Sequence, residues 1–436
     1  MLFGHRQEKS GSDAAFFYVF KYTIIFAVLA LGLSPLLPNH SFPWVSFQSE
    51  FLSIVCCFLL LLALTFKADV FYIKKIAFFA FFVSLVPIIQ YAYGVIYFIG
   101  DAIMASVYLW SVFLVIGLGI SFSYSFNCEL LLKKLSLILL FSSVVSVYLA
   151  LSQWLEINHL GLWLIDLPLG GRPYANLAQP NHLATLLLMG LLSNLYLFER
   201  KYYSGITVSL ITFLLLLGIA LAQSRTSLVV LAVFLVWFFW KGRLLNIHLK
   251  HYHVLLGTLI YLFLIYLLPQ LKEILLFSEQ SIRLNTSPSP RLTIWQELFA
   301  AVVQGPLWGY GWNQVSIAQV LVDSPVESSL YVEHSHNLFL DLLLWNGPIV
   351  GSLIIIAIVW WGIQKLLRCQ SREQWFLLAM IMPVAVHSMF EFPIEYAYFF
   401  IPVFFMVGML ESYEQDKPVW SIHCLLYTSP SPRDRG

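Results

Sequence analysis

Apolar runs long enough to cross a bilayer recur from one end of this chain to the other. They fall at roughly 14–36, 51–66, 76–93, 102–122, 135–153, 181–198, 204–222, 226–240, 252–269, 337–363, 374–390 and 397–412. A hydrocarbon core about 30 Å thick needs about 20 apolar residues in a helix, and its interior tolerates no unpaired backbone. The expected fold is therefore an all-α polytopic membrane protein of about 12 transmembrane helices, several short, tilted or broken. Composition agrees: 60% of the 436 residues are hydrophobic, only 11% are charged and mean hydropathy is +0.81. A soluble domain could not hide that much apolar surface. The net charge of +1 gives no reason to expect a nucleic-acid partner.

Basic residues set the expected orientation. Arg6, Lys9, Lys67, Lys74, Lys75, Lys133, Lys134, Arg200, Lys201, Lys241, Arg243, Lys250, Lys365, Arg368 and Arg372 fall at alternate loops. The opposite loops carry only Arg172, Arg225, Lys272, Arg283 and Arg291. The positive-inside rule puts the first group in the cytoplasm and the second outside, which in a bacterium is the periplasm. The expected layout is a cytoplasmic N-terminus over 1–13, membrane helices over 14–269, one long periplasmic loop over 270–336 and further membrane helices over 337–412. Residues 413–423 read as a truncated tail, and 424–436 as an artefact, because Cys424–Asp434 looks like translated adapter DNA. The first polar stretch lacks the pattern of a cleavable signal, and the five cysteines lack zinc or redox spacing.

Five polar clusters fall on the outward side. In Gly170–His182, Gln179 is placed as the N-cap and Pro180 as the first residue of a helix, so the N–H groups of Asn181 and His182 would face an anion, with Arg172 nearby. A capped helix with an interfacial Arg is the bland alternative. Arg225, between two spans joined by almost no loop, offers a second cation or merely a polar turn. Ser289-Pro-Arg291 reads as a helix start, with Arg291 and Trp295 on one face, and Gly305–Gly311 as a close-packed turn. His334-Ser-His336-Asn337 stands where the long loop re-enters the membrane, and imidazole suits general-base work. A structural hydrogen bond is the alternative; the spacing is not that of a helical zinc pair, and no third ligand is evident. His387 and Glu391 are four residues apart and can pair, with Pro393, Tyr396 and Tyr398 following. Outward arginines with a histidine base suit a membrane-linked polyanion and an acceptor that must lose a proton.

These residues resemble those of the bacterial O-linked protein oligosaccharyltransferases, the pilin-glycosylating ligases related to the O-antigen ligases. Gly171–His182, Pro38–Trp44 with Glu50, and His387–Tyr398 resemble the protein-glycosylating branch; Arg291…Trp295 and His334–Asn337 resemble the wider ligase and polymerase superfamily. The resemblance implies a glycan donor on polyprenyl (undecaprenyl) diphosphate in the inner membrane and a pilin-like protein acceptor in the periplasm. It further implies Arg172, Arg225 and Arg291 on the diphosphate, and His336 or His334 as base, with a slight preference for His336. Gln179, Asn181, His182, Asn337 and one of Tyr396 and Tyr398 would line the substrate site. No metal or other cofactor is expected. Transfer to lipid A-core, or to a growing polysaccharide, is the nearest rival. Transport of a lipid-linked glycan is more distant, because Lys21 and Gln90 are the only obvious polar groups at mid-membrane depth.

Overall fold

The computed structural model describes residues 11–38, 44–67, 70–157, 159–168, 171–177, 179–276, 290–324, 330–414, 416 and 418–423. The expected Ser289 cap, Arg283, residues 39–43 of the Pro38–Trp44 motif and the 424–436 segment lie outside them. The helices are α1 (Gly11–Leu33), α2 (Phe47–Lys67), α3 (Lys75–Ala92), α4 (Ile99–Ser125), α5 (Cys128–Trp154), α6 (Pro180–Glu199), α7 (Gly205–Leu221), α8 (Arg225–Trp237), α9 (His251–Leu276), α10 (Pro290–Gln304), α11 (Val315–Leu321), α12 (Leu338–Arg368), α13 (Arg372–His387) and α14 (Ala397–Ser412). Among the described residues, nine helical segments are long and apolar enough to cross a membrane. The other three expected spans coincide with shorter helices: α7 of 17 residues, and α13 and α14 of 16 each.

Helix α9 runs on through Pro269 to Leu276, past the boundary expected at 269. Within the 270–336 stretch α10 begins at Pro290, where the sequence suggested a helix start, and α11 follows. The chain is also not wholly α: β1 (Val70–Ile73) pairs antiparallel with β2 (Trp420–His423), Val70 opposite His423. Both strands are short aromatic and β-branched runs, and β2 draws the expected tail back onto the bundle.

Apolar side chains on α5, α6, α7, α9, α13 and α14 form the largest core. Lipid tails are as apolar as leucine, so helices associate through close packing and polar contacts rather than through hydrophobicity. Helices α4 and α14 cross at Gly119 and Gly408, where a side chain on either residue would strike the other helix's backbone. The Gly305–Gly311 segment is the close-packed turn the sequence suggested. Tyr310 and Gly311 donate to the carbonyls of Leu344 and Trp345 at 2.8 and 3.1 Å. Gly309 and Gly347 both have positive φ there, and each leaves no space for a Cβ. Gln90 closes the same junction by donating to the Trp345 carbonyl at 2.7 Å. A side chain held this way is a clamp between segments rather than a lining for a transport path.

The polar residues assigned to opposite faces gather into two separate sets of contacts. Of the expected inward set, Arg200 pairs with Glu129 and Glu373, Arg372 with Glu199, and Lys365 with Glu411 and Glu414. Gln179, Asn181, His182, Arg291, His334, Asn337, His387 and Glu391, all expected outward, contact one another or share neighbours, as described next.

Candidate active site

Gln179 has the extended backbone of an N-cap residue, and Pro180 opens α6. Pro at this position costs nothing, because its missing N–H would lack an intrahelical partner anyway. The polar segment before it is held by Gln153, whose amide donates to the carbonyls of Ile165 and Ala175 and accepts from the N–H groups of Tyr174 and Ala175. Asn176 donates to the carbonyls of Leu36 and Trp163 at 2.8 and 2.9 Å. Much of this motif therefore fixes the approach to α6.

The start of α6 is not an open anion site, which corrects the sequence reading. The His182 N–H turns back to the Gln179 carbonyl at 3.1 Å, and the Asn181 and His182 side chains are buried. The anion at this helix end is the protein's own: Asn181 Nδ2 donates to Glu391 Oε1 at 2.6 Å. Arg291, from the first turn of α10, pairs with the same oxygen. The other oxygen, Oε2, lies 3.1 Å from His387 Nε2, and His387 Nδ1 meets the Thr185 hydroxyl at 2.8 Å. One carboxylate thus ties together α6, α10 and the end of α13. Burial alone would raise the Glu391 carboxyl, but the His387 hydrogen bond and the nearby charges of His387, Arg291 and His182 outweigh it and bring it down to about 2.

His182 sits beside this group. Gln179 Nε2 lies 3.1 Å from His182 Nε2, and His182 Nδ1 lies 3.3 Å from the Tyr398 hydroxyl. Tyr396 packs edge-on against the same imidazole with ring centroids 4.5 Å apart. Both tyrosines therefore touch the site, where the sequence could not choose between them. Burial pushes the Tyr396 hydroxyl up, as do the charges of Glu395, Glu50 and Glu391, so it stays protonated.

The loop before α12 carries the other half. Asn337 caps α12 by accepting from the N–H groups of Phe339 and Leu340 at 3.0 and 3.1 Å, while its Nδ2 donates to the Met389 carbonyl at 3.2 Å. Trp295, one turn along α10 from Arg291, donates to the Ser335 carbonyl at 2.8 Å, and the Ser335 N–H donates to buried Asp341 at 2.7 Å. Between these anchors His336 adopts a left-handed backbone with φ of 59°. A non-glycine residue held this way by its flanks is a common mark of a working site. Burial, followed by the charge of Arg291, lowers the His336 imidazole below its ordinary value; the charge of Glu391 opposes this, and that of His334 adds to the lowering. His334 goes the other way. Burial would lower it, but Glu395, whose carboxylate lies 3.8 Å away, and the charges of Asp341 and Glu333 raise it overall. It also stacks on Phe392 with centroids 4.6 Å apart.

Arg172 and Arg225 occupy a different part of the site's surroundings. Arg172 reaches the carbonyls of Ala222 and Gln223 at 3.4 and 3.1 Å, where its charge suits the C-terminal end of α7. Exposed Arg225 opens α8 two residues beyond Gln223. Both arginines thus lie at the turn between α7 and α8.

The sequence showed no third ligand for a metal at His334 and His336. The structure instead assembles a different group, His182, His387 and Glu391, whose ligand atoms lie within 4.8 Å of one another. Each already has hydrogen-bonding partners, and Arg291 lies against the carboxylate. An open cleft of about 400 Å³ lies beside Asn337, lined by apolar Leu292, Trp295, Phe299, Leu340 and Leu343 of α10 and α12. Sequence reasoning missed Thr185 and Asp341, and it paired His387 with Glu391 without giving the pair a role. Only the polar character of Thr185 and Asp341 within apolar runs could have flagged them.

Comparison with known proteins bears on the same segments. Residues 173–198 match the family model described as protein glycosylation ligase, 210–356 that of O-antigen ligase, and 375–428 that of the C-terminal part of virulence factor membrane-bound polymerase. The chain is 33% identical over 408 residues to the general O-oligosaccharyltransferase of Acinetobacter baylyi, covering 92% of this chain and 71% of that protein. It is 30% identical over 401 residues to the ComP-specific O-oligosaccharyltransferase of the same organism, covering 90% and 71%. No solved structure matches. With its apolar helices and the kinship of both its halves, the chain belongs to the O-oligosaccharyltransferases, multi-pass membrane glycosyltransferases related to the O-antigen ligases.

Proposed function

We propose that this protein transfers a glycan from polyprenyl (undecaprenyl) diphosphate to Ser or Thr hydroxyls of pilin-like proteins, on the periplasmic face of the inner membrane. The observation that carries the reading is the junction at Glu391. It joins the protein-glycosylation motif at the start of α6 to Arg291, whose helix anchors the His336 loop through Trp295.

The chemistry asks for two things. The diphosphate leaves with the bonding electron pair of the anomeric C–O bond, so cations fixed around it stabilise the charge that builds there. A guanidinium carries five donors in a rigid fork, enough to serve a carboxylate and a phosphate together. Arg172 and Arg225 are the other proposed contacts. The acceptor oxygen forms the new bond to the anomeric carbon from the opposite side and gives its proton to the His336 imidazole, inverting the centre in one displacement. Burial and the charge of Arg291 lower the half-buried His336 imidazole, which favours the neutral form that accepts that proton. Gln179, Asn181, His182, Asn337, Tyr396 and Tyr398 shape the site, and the apolar cleft beside Asn337 suits part of the polyprenyl chain.

Co-expression of this chain with a polyprenyl-linked glycan and a pilin-like acceptor tests the reading. Glycan on the acceptor, lost in His336→Ala, is the expected result. Modification of lipopolysaccharide alone would sink the protein-acceptor reading in favour of lipid A-core.

A further inference from the structure

The junction around Glu391 has more structure than a single ion pair requires. The carboxylate is only 3% exposed, yet both oxygens are engaged: Oε1 by Asn181 and Arg291, Oε2 by His387. Behind His387 stands Thr185, one turn along α6 from Asn181, so one helix braces the carboxylate from two sides. Arg291 is the only member with much exposure, its side chain 35% accessible against 4% for Glu391. A buried carboxylate held by neutral or proton-sharing groups on two helices, and presenting its charge to one half-exposed arginine on a third, is built to fix that arginine's position.

We propose that Glu391 is a positioning residue acting through Arg291: Asn181, His387 and Thr185 lock the carboxylate, and it sets where the guanidinium meets the donor's diphosphate. The inference rests on the proposed use of Arg291 toward the diphosphate. A flexible arginine stem loses rotamer freedom when it grips a ligand, and a fixed counter-charge removes that freedom before the donor arrives. The bland alternative is a stabilising ion pair with no bearing on substrate. That alternative is the weaker one, because replacing a buried pair with apolar residues is often neutral or stabilising, whereas here asparagine, histidine and threonine are all spent on holding one carboxylate.

A double-mutant cycle on purified protein, with polyprenyl-diphosphate-linked glycan varied against a fixed protein acceptor, tests this. Glu391→Gln is expected to raise the donor KM at least tenfold with a smaller change in kcat. In the Arg291→Ala background the same substitution should add less than twofold, because the group it acts through is gone. The acid limb of kcat/KM should also move to lower pH in Glu391→Gln. His336 faces Arg291, Glu391 and His334, and loss of the one negative charge among them disfavours its protonated form. Additive losses in the cycle, or a fall in kcat alone with the acid limb unmoved, would overturn the positioning role. If Glu391→Gln does not fold, Thr185→Val loosens the far end of the chain and should raise the donor KM in the same non-additive way; additivity there counts equally against it. Failure of the broader reading looks different. A protein that modifies only lipopolysaccharide would still show the coupling between Arg291 and Glu391 in donor KM.

Discussion

Ser335 alone separates His334 from His336, yet their surroundings push the two imidazoles in opposite directions. His334 faces Glu395, Asp341 and Glu333 and is raised; His336 is lowered chiefly by burial and by Arg291. A general base works only when deprotonated, so the pH at which activity falls on the acid side reports which imidazole is in use. With His336 as base, the acid limb of kcat/KM should lie below pH 6.5, the ordinary histidine value. With His334 it should lie above 6.5. A pH–rate profile of glycan transfer, repeated in His334→Gln, decides it: the expected outcome is a limb below 6.5 that His334→Gln moves little.

Asn337 has two separable duties, and substitutions should separate them. Its Oδ1 caps α12, while its Nδ2 ties the loop to the Met389 carbonyl near Glu391. Asn337→Asp keeps a strong cap but loses the donor, so it should keep thermal stability close to wild type. Asn337→Ala loses both and should cost about 1 kcal/mol for the cap alone. If the tether holds His336 in place, both variants should lose transfer by tenfold or more despite their different stabilities. Thermal denaturation in detergent beside an activity assay makes the comparison, and an active Asn337→Asp would argue against the tether.

The parts legible in sequence were those that depend on short spacing. Spanning runs predicted helices, Pro180 marked the start of α6, and four-residue spacing paired His387 with Glu391 and placed Arg291 with Trp295 on one face. What could not be read was which distant element each polar group would meet. Asn181 and Glu391 are 210 residues apart, and Gln90 and Trp345 are 255 apart. The open anion site expected at α6 was wrong for this reason: a sequence shows the free end of a helix dipole, and the carboxylate that meets Asn181 there comes from the turn after α13. The β1–β2 pair was missed likewise, since each four-residue strand means nothing without its partner.

Glu391 also gives the folded protein a measurable acid dependence. Its folded carboxyl lies at about 2, against an ordinary 4.5. A depressed carboxylate contributes stability that is fully present above its unfolded value and is lost as pH falls through its folded one. The contribution should therefore be intact at pH 6 and decline between about pH 4.5 and 2. Glu391→Gln has no proton to take up in that window, so its stability curve should be flatter there. Detergent-solubilised thermal melts from pH 6 down to 3 check this, and parallel curves for the two proteins would contradict the assigned environment.

The His182, His387 and Glu391 group predicts how the enzyme responds to metal ions. A tetrahedral divalent site needs ligand distances near 2.0–2.2 Å from the ion, which brings ligand atoms to well under the 4.8 Å that bounds this group. Gln179, Thr185 and Arg291 already satisfy these side chains, and the Arg291 guanidinium lies against the carboxylate an ion would share. A divalent cation would therefore have to displace Arg291 or be held close to it, at considerable electrostatic cost. Transfer should survive a chelator with its rate within about twofold. Zinc in large excess should inhibit, because capture of Glu391 would release Arg291, and His387→Gln should weaken that inhibition. Loss of activity on chelation, with recovery on adding one metal back, would instead identify the group as the seat of a resident ion.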